Sequence, residues 1–161
     1  DSLHIIWNSW LTGKGEVQKQ AYTYNTGTMI QSAVRLYKAT KNENYLADAR
    51  RLAKGSYDFY VKYMDNGIPY ITDLPWFIVV LFRGYHELYD GNSKYVDTII
   101  ASADWAWTHA RDKSGLIYVD WTGRAQEYDK PKWLLNEACM VELYARIALI
   151  KDVNKKIENY E

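Results

Sequence analysis

A leucine–tyrosine pair recurs three times along this chain, each time near the end of an apolar segment. The copies are Leu36-Tyr37, Leu88-Tyr89 and Leu143-Tyr144, and they lie 52 and 55 residues apart. A fixed period of this kind indicates one structural unit repeated in series. The unit is longer than a tetratricopeptide repeat of about 34 residues, and it fits a pair of full helices joined to a long connector.

The first repeat predicts two helices. Apolar residues spaced by three, four and seven positions predict a helix from about Thr26 to Ala39, and Asn44 is a plausible N-cap for the second helix. Asp65-Asn66-Gly67 is typical of a turn, and it precedes a short β-like segment, Ile68 to Ile71.

The later repeats follow the same order. We expect a third helix from Asp73 or Leu74, with Pro75 in its first turn. Ser93 is predicted to cap a fourth helix that ends at Ser114-Gly115. A fifth should start near Pro131 and end around Lys151, and residues 152–161 look like the start of another helix.

An apolar helix therefore alternates with an amphipathic one. The first kind belongs in an inner layer and the second in an outer layer. Links from inner to outer helices are short, whereas links from outer to inner helices are long and aromatic, as in Asp112 to Lys130. All the long links should lie at one end, the looped end, and we expect function there.

Composition excludes several classes of function. Lys+Arg and Asp+Glu both number 20, which argues against a nucleic-acid partner, and no apolar run is long enough for a membrane span. Cys139 is the single cysteine, and the three histidines lack the spacing of a zinc motif. The chain has 15 Tyr and 7 Trp but 3 Phe, and rings with a polar tip suit sugars as well as cores.

Two phrases resemble a known family. Residues 22–27, Tyr-Thr-Tyr-Asn-Thr-Gly, lead into the helix that ends in Leu36-Tyr37, and Asn44-Tyr45-Leu46 follows. The combination is similar to glycoside hydrolase family 76, the endo-α-1,6-mannanases. The resemblance implies an all-α fold, an (α/α)6 toroid of inner and outer helices, and hydrolysis of α-1,6 bonds in mannan. It implies no metal or organic cofactor.

Two departures from the family pattern matter. Thr26 stands where the family usually has glutamine. The family also relies on two adjacent aspartates, and this chain contains no Asp-Asp pair. Retaining hydrolysis needs two carboxylates about 5 to 5.5 Å apart. Glu127 and Asp129 are the closest carboxylates in the long links, and we interpret them as solvated loop charges.

The length suggests part of a ring. At roughly 53 residues per helix pair, 161 residues make about three hairpins of a six-hairpin toroid. The first segment, Asp1 to Trp10, is extended and aromatic, and we interpret it as the connector between two helix pairs. Both ends of the chain then fall inside the repeat pattern, so we expect residues 1–161 to form a single domain, the C-terminal half of such an enzyme. Its partners would be the missing N-terminal half and mannan or mannooligosaccharide. The substrate class implies an extracellular, periplasmic or cell-surface location.

Six residues are candidates for substrate contact. Asn25 is otherwise a good N-cap, Gly27 otherwise permits close helix packing, and the tryptophans otherwise fill the core. Asp1 enters on the resemblance alone, since the family has an aspartate in that segment. The candidates are Asp1, Tyr24, Asn25, Gly27, Trp76 and Trp133.

Two other functions stay open. A non-catalytic helical-repeat module would bind protein on a concave face. Another toroid sugar enzyme, such as an epimerase, would use a histidine or carboxylates at inner-helix mouths. His86 and His109 lie late in their helices, which disfavours that alternative.

Overall fold

The computed structural model describes residues 3–89, 94–125 and 131–158, with side chains up to residue 152. These residues form five helices and four short strands. The helices are α1 (Thr23–Thr40), α2 (Glu43–Tyr60), α3 (Pro75–Leu88), α4 (Lys94–His109) and α5 (Leu134–Glu158). The strands are β1 (Trp7–Leu11), β2 (Glu16–Ala21), β3 (Val61–Tyr63) and β4 (Pro69–Ile71).

Helices α1 and α3 lie side by side and parallel. Three pairs, taken in chain order, show the direction: Thr23 with Asp73, Gly27 with Leu81, and Arg35 with Glu87. Helix α5 lies beside α3, where the Arg83 guanidinium pairs with the Glu142 carboxylate. Helices α2 and α4 pack against the row formed by α1, α3 and α5. This helical arrangement confirms the predicted all-α fold.

Helix α3 is the centre of the core. Eight of its 14 residues are buried, whereas α2 buries five of its 18, so the predicted contrast between an inner and an outer helix holds for this pair. The largest fully buried side chains are Tyr85, Tyr118, Phe82, Ile30, Ile78, Leu81, Ile99 and Leu143. No helix among the described residues is long and apolar enough to cross a membrane.

Two glycines let α1 and α3 approach closely. A Cβ built on Gly27 would lie 2.6 Å from the Leu81 Cα and from the Val80 carbonyl oxygen, and one on Gly84 would lie 2.7 Å from the Gly27 carbonyl oxygen. Real Cβ atoms do not come this near to backbone atoms, so hydrogen is the only side chain that fits at either position.

Two helix starts differ from the prediction. Helix α1 begins at Thr23, three residues early, so Asn25 lies inside it and is not its N-cap. Helix α2 is capped by Asn42, whose side chain accepts a hydrogen bond from the Asn44 N–H at 3.0 Å. Helix α3 begins at Pro75, one residue after the later of the two predicted starts, and Pro75 lies in its first turn as predicted. The predicted cap of α4, Ser93, lies outside the described residues.

The ends of α4 and α5 also differ. Helix α4 stops at His109, before the predicted Ser114-Gly115, because the Asp112 carboxylate accepts the Ser114 and Leu116 N–H groups and turns the chain early. Helix α5 continues to Glu158 without the break predicted near Lys151. No glycine or proline stands there to stop it. The described part therefore holds two complete hairpins and the inner helix of a third.

A β-hairpin precedes α1. Strands β1 and β2 pair antiparallel, with Trp10 opposite Val17 and Leu11 opposite Glu16. Its four-residue turn contains Gly15 at φ 65°, where glycine avoids the steric cost of a left-handed backbone. The second sheet pairs β3 with β4 and includes part of the predicted β-like segment Ile68 to Ile71.

Candidate functional site

Four aromatic rings meet where α1 and α3 begin, at the looped end. The ring of Tyr24 stacks on Trp76 with centroids 5.7 Å apart, and it lies 4.5 Å from the ring of Phe77. The ring of Tyr22 lies 5.9 Å from Tyr24 and 5.4 Å from Phe77. All four side chains are half-buried, so each presents part of its surface to solvent. We call Tyr22, Tyr24, Trp76 and Phe77 the rim cluster.

The Asp73 carboxylate holds the two helix starts together. Its Oδ2 accepts hydrogen bonds from the Thr23 N–H and from the Thr23 hydroxyl, both at 2.9 Å, and its Oδ1 accepts from the Leu74 N–H at 2.9 Å. A carboxylate is well placed at a helix N-terminus, where N–H groups lack partners. Asp73 therefore caps α1 across 50 residues rather than α3, the helix it directly precedes.

Amide side chains border the rim cluster. The Tyr24 hydroxyl donates to the Asn8 Oδ1 at 3.2 Å, which ties the cluster to β1. Among the described residues, the buried Asn25 Nδ2 and the buried Trp76 Nε1 have no acceptor. Buried donors are nearly always hydrogen-bonded in proteins, so these two N–H donors could each bond an acceptor on a ligand.

Gly27 and Thr26 lie deeper than the rim cluster. Gly27 is buried against α3, where it permits the close packing of the two helices. In the described structure it has no exposed surface for a ligand. The Thr26 side chain is fully buried, and its Oγ1 accepts the Ile6 N–H at 3.1 Å. The threonine found in place of the family's glutamine thus fastens the segment before β1 to α1.

The remaining candidates lie apart from the rim cluster. Trp133 comes directly before α5 rather than inside it, and its side chain is 54% exposed. Its carbonyl accepts the Asn136 N–H at 2.9 Å, which starts the helix. No ring contact joins Trp133 to the rim cluster within the described ranges. Asp1, Glu127 and Asp129 lie outside the described residues.

The Asp120 carboxylate also accepts hydrogen bonds from nearby residues. Its Oδ1 accepts from the Thr122 N–H at 2.9 Å and from the Thr122 hydroxyl at 2.7 Å, and its Oδ2 accepts the Ala125 N–H at 3.1 Å. Within the described residues, no three His, Cys, Asp or Glu side chains group as metal ligands. The rim cluster can contact a ligand through its aromatic rings and through the neighbouring Asn8 and Asn25 amides. The Asp73 and Asp120 carboxylates instead accept hydrogen bonds from the protein itself.

Glu137, in the first turn of α5, was not singled out from the sequence. Its Oε2 accepts the Ile117 N–H at 3.2 Å and so holds the connector after α4 against α5. Burial raises the pKa of this carboxyl. The folded state therefore favours the neutral acid, and ionisation as pH rises above the unfolded value of about 4.3 weakens the fold.

Glu137→Gln should therefore raise the melting temperature at neutral pH, because glutamine keeps a carbonyl acceptor for Ile117 and carries no charge. The gain should shrink as pH falls to about 4.

Glu87→Gln is the matched control, for which the expected change in stability has the opposite sign. The hydrogen bond from Arg35 lowers the pKa of the Glu87 carboxyl. That variant should be less stable than the parent at neutral pH and converge with it in acid. Thermal unfolding followed by circular dichroism tests both, and a Glu137→Gln gain that is the same at pH 4 and pH 7 contradicts the first.

Three residues of this region were missed from the sequence. Tyr22 and Phe77 flank the predicted Tyr24 and Trp76, and Asn8 lies on a strand that was interpreted only as an extended connector. The available indication was the repeat itself, since residues 22–24 and 76–77 both precede a Leu-Tyr pair by about one helix length.

Comparison with known proteins gives consistent similarities. Residues 5–73 match the family model described as Glycosyl hydrolase family 76. The chain is similar to a family 76 glycoside hydrolase from a bovine Bacteroides thetaiotaomicron strain, at 33% identity and a TM-score of 0.73. It is also similar to a family 76 mannosidase from the same species, at 28% identity and a TM-score of 0.77. No curated protein matches the chain.

The similarity spans most of this chain but less than half of each relative. The alignments cover 85% of this chain and 31% of the first structure, and 96% of this chain and 45% of the second. A family 76 α-mannanase of the same species, at 24% identity and a TM-score of 0.80, shows the same fold over 42% of its length. The chain is therefore part of glycosyl hydrolase family 76, with the helix order of that family's (α/α)6 toroid.

Proposed function

We propose that this chain is the C-terminal half of a domain that hydrolyses α-mannan at α-1,6 bonds, outside the cell or at its surface, and that its looped end binds the sugar chain. The observation that carries the proposal is the rim cluster. The exposed parts of these packed rings offer apolar surfaces for the C–H faces of sugars, and the amide of Asn8 beside them can hydrogen-bond hydroxyl groups.

The catalytic carboxylates are proposed to come from outside this chain. Asp73 and Asp120 each accept three hydrogen bonds from nearby protein groups, which fixes them as caps and turn formers. Retaining hydrolysis uses a second carboxylate about 5 Å from the first, whereas the hydrogen-bond partners of Asp73 and Asp120 among the described residues are N–H and hydroxyl groups. The relatives are more than twice as long as the matched part, which leaves room for both acids.

Trp76→Ala should weaken binding of α-1,6-linked mannohexaose by about fivefold or more, because one aromatic contact contributes about 1 kcal/mol. Isothermal titration of the purified chain measures the affinity. Tyr89→Ala is the matched control, since Tyr89 is 47% exposed at the other end of α3, and it should bind like the parent. Equal affinity for Trp76→Ala and the parent, with circular dichroism showing both folded, would count against the rim cluster.

The same preparation should release no reducing sugar from mannan. Turnover by the chain alone, abolished by heat and retained through two purification steps, would refute the claim that the acids lie elsewhere. Trp133→Ala should be compared in the binding assay, because Trp133 directly precedes α5, the next helix of the same row, and stays a proposed contact at a separate position.

A further inference from the structure

We propose that Trp10, on the β1–β2 hairpin, is an additional sugar-binding platform that takes a residue of the same polysaccharide farther along its chain. The inference rests on the proposed function and extends it to a part of the molecule that the rim cluster does not include. Trp10 is 58% exposed, on a hairpin that borders the rim cluster. A large indole left this open in a fixed element suits a ligand with apolar faces.

Two hydrogen bonds join the hairpin to the rim cluster, and a third joins the segment before β1 to α1. The Tyr24 hydroxyl donates to the Asn8 side chain, and the Tyr22 hydroxyl donates to the Gln20 Oε1 at 3.3 Å. Below them the Ile6 N–H donates to the Thr26 hydroxyl. Two of the three bonds involve rings of the rim cluster itself, so the surface of the cluster continues directly onto the hairpin.

The hairpin also fixes the backbone position of Trp10. The Gln18 Oε1 accepts from the Ser9 hydroxyl at 2.6 Å and from the Asn8 Nδ2 at 3.2 Å, which locks the register of the two strands. In that register Trp10 lies directly opposite Val17, so both side chains share one face, and Val17 is 40% exposed. Because the strand that carries Trp10 is already formed in the free protein, binding does not have to order the backbone there.

The chemistry and the spacing favour a neutral sugar polymer. The strand side chains that form hydrogen bonds near the rim cluster are the uncharged Asn8, Ser9, Gln18 and Gln20, whereas the charged Glu16 and Lys19 are exposed on β2 without a hydrogen bond to the cluster in the described structure. Trp10 comes two residues after Asn8, which places it about 7 Å farther along the strand. A short ligand at the rim cluster would end before Trp10, whereas a longer one would reach it.

The test compares ligand length. Isothermal titration of the full chain with α-1,6-linked mannobiose and mannohexaose should show that Trp10→Ala weakens hexaose binding by about five- to tenfold and leaves biose binding unchanged. Trp10→Phe, which keeps a ring, should recover most of the hexaose affinity. Trp76→Ala should weaken both ligands, because the rim cluster serves each of them.

The outcomes separate this inference from the proposed function. If Trp10→Ala binds both sugars with the same affinity as the parent, Trp10 is not a sugar-binding platform, and the proposed role of the rim cluster is unaffected. If Trp10→Ala loses both ligands to the same degree, Trp10 supports the hairpin and is no distal platform, which also overturns the inference. If the parent binds neither sugar, the proposed function fails and this inference with it. Circular dichroism of each variant shows that the hairpin change has not unfolded the chain.

Discussion

Gly27→Ala should lower the free energy of unfolding by about 3 kcal/mol, near the upper end for an overpacked core position. The added methyl would meet the Leu81 Cα and the Val80 carbonyl oxygen at 2.6 Å. Both are backbone atoms of α3, so no side chain can rotate out of the way, and the two helices would have to separate. Separation would reduce packing along α1 and α3, which contribute much of the core.

Urea unfolding monitored by circular dichroism measures this loss, and Gly13→Ala is the matched control. Gly13 has no atom within 4 Å of its built Cβ, so that variant should stay within about 0.5 kcal/mol of the parent. Gly84→Ala should be similarly damaging, since its methyl would press on the Gly27 carbonyl. The double variant should lose less than the sum, because helices already forced apart accommodate the second methyl. Strict additivity, or a harmless Gly27→Ala, would show that the contact is less tight than the structure has it.

Asp73→Ala should cost about 2 to 3 kcal/mol, because it removes a charged acceptor from three donors at once. Two of those donors belong to Thr23, whose backbone N–H is at the start of α1 and whose side chain is fully buried. Left without an acceptor, the buried hydroxyl and the N–H would each carry a desolvation cost. The first turn of α1 should fray. The Tyr24 side chain lies in that turn and should lose its fixed position.

Asp73→Asn separates the charge from the hydrogen bonds. It keeps one oxygen, so it should lose less stability than Asp73→Ala, and Asp65→Ala in the exposed turn between β3 and β4 should be close to neutral. Chemical denaturation gives the stabilities, and amide hydrogen exchange in residues 23–27 reports the fraying. If exchange there is unchanged in Asp73→Ala, then Asp73 does not cap α1.

The repeat predicted the helices well and their ends less well. Periodicity reports which face of a segment is apolar, and that decided the order of α1 to α5. The start of α1 depends on Asp73, which is 50 residues away, so no local pattern around Asn25 could reveal it. The end of α4 depends on an aspartate turn at Asp112 that competes with the more obvious glycine at position 115.

Two members of the rim cluster were singled out from the sequence for the same reason. Tyr24 and Trp76 were chosen because each stands at the start of an apolar helix, and parallel neighbours bring such positions together. The hairpin was missed although a Gly-Lys-Gly turn separates its strands, because residues 1–10 were interpreted as a connector. Asn8 and Trp10 became visible only once the β1–β2 register was known.

The spacing between α1 and α3 is set by groups that lie away from the rings. The glycine contact sits below the rim cluster, and the pair of Arg35 with Glu87 joins the two helices toward their C-terminal ends. The size of the rings in the rim cluster therefore does not set the distance between α1 and α3. Over evolutionary time, one aromatic residue of the rim cluster can be exchanged for another, and the shape of the proposed binding surface can change, while the framework stays intact.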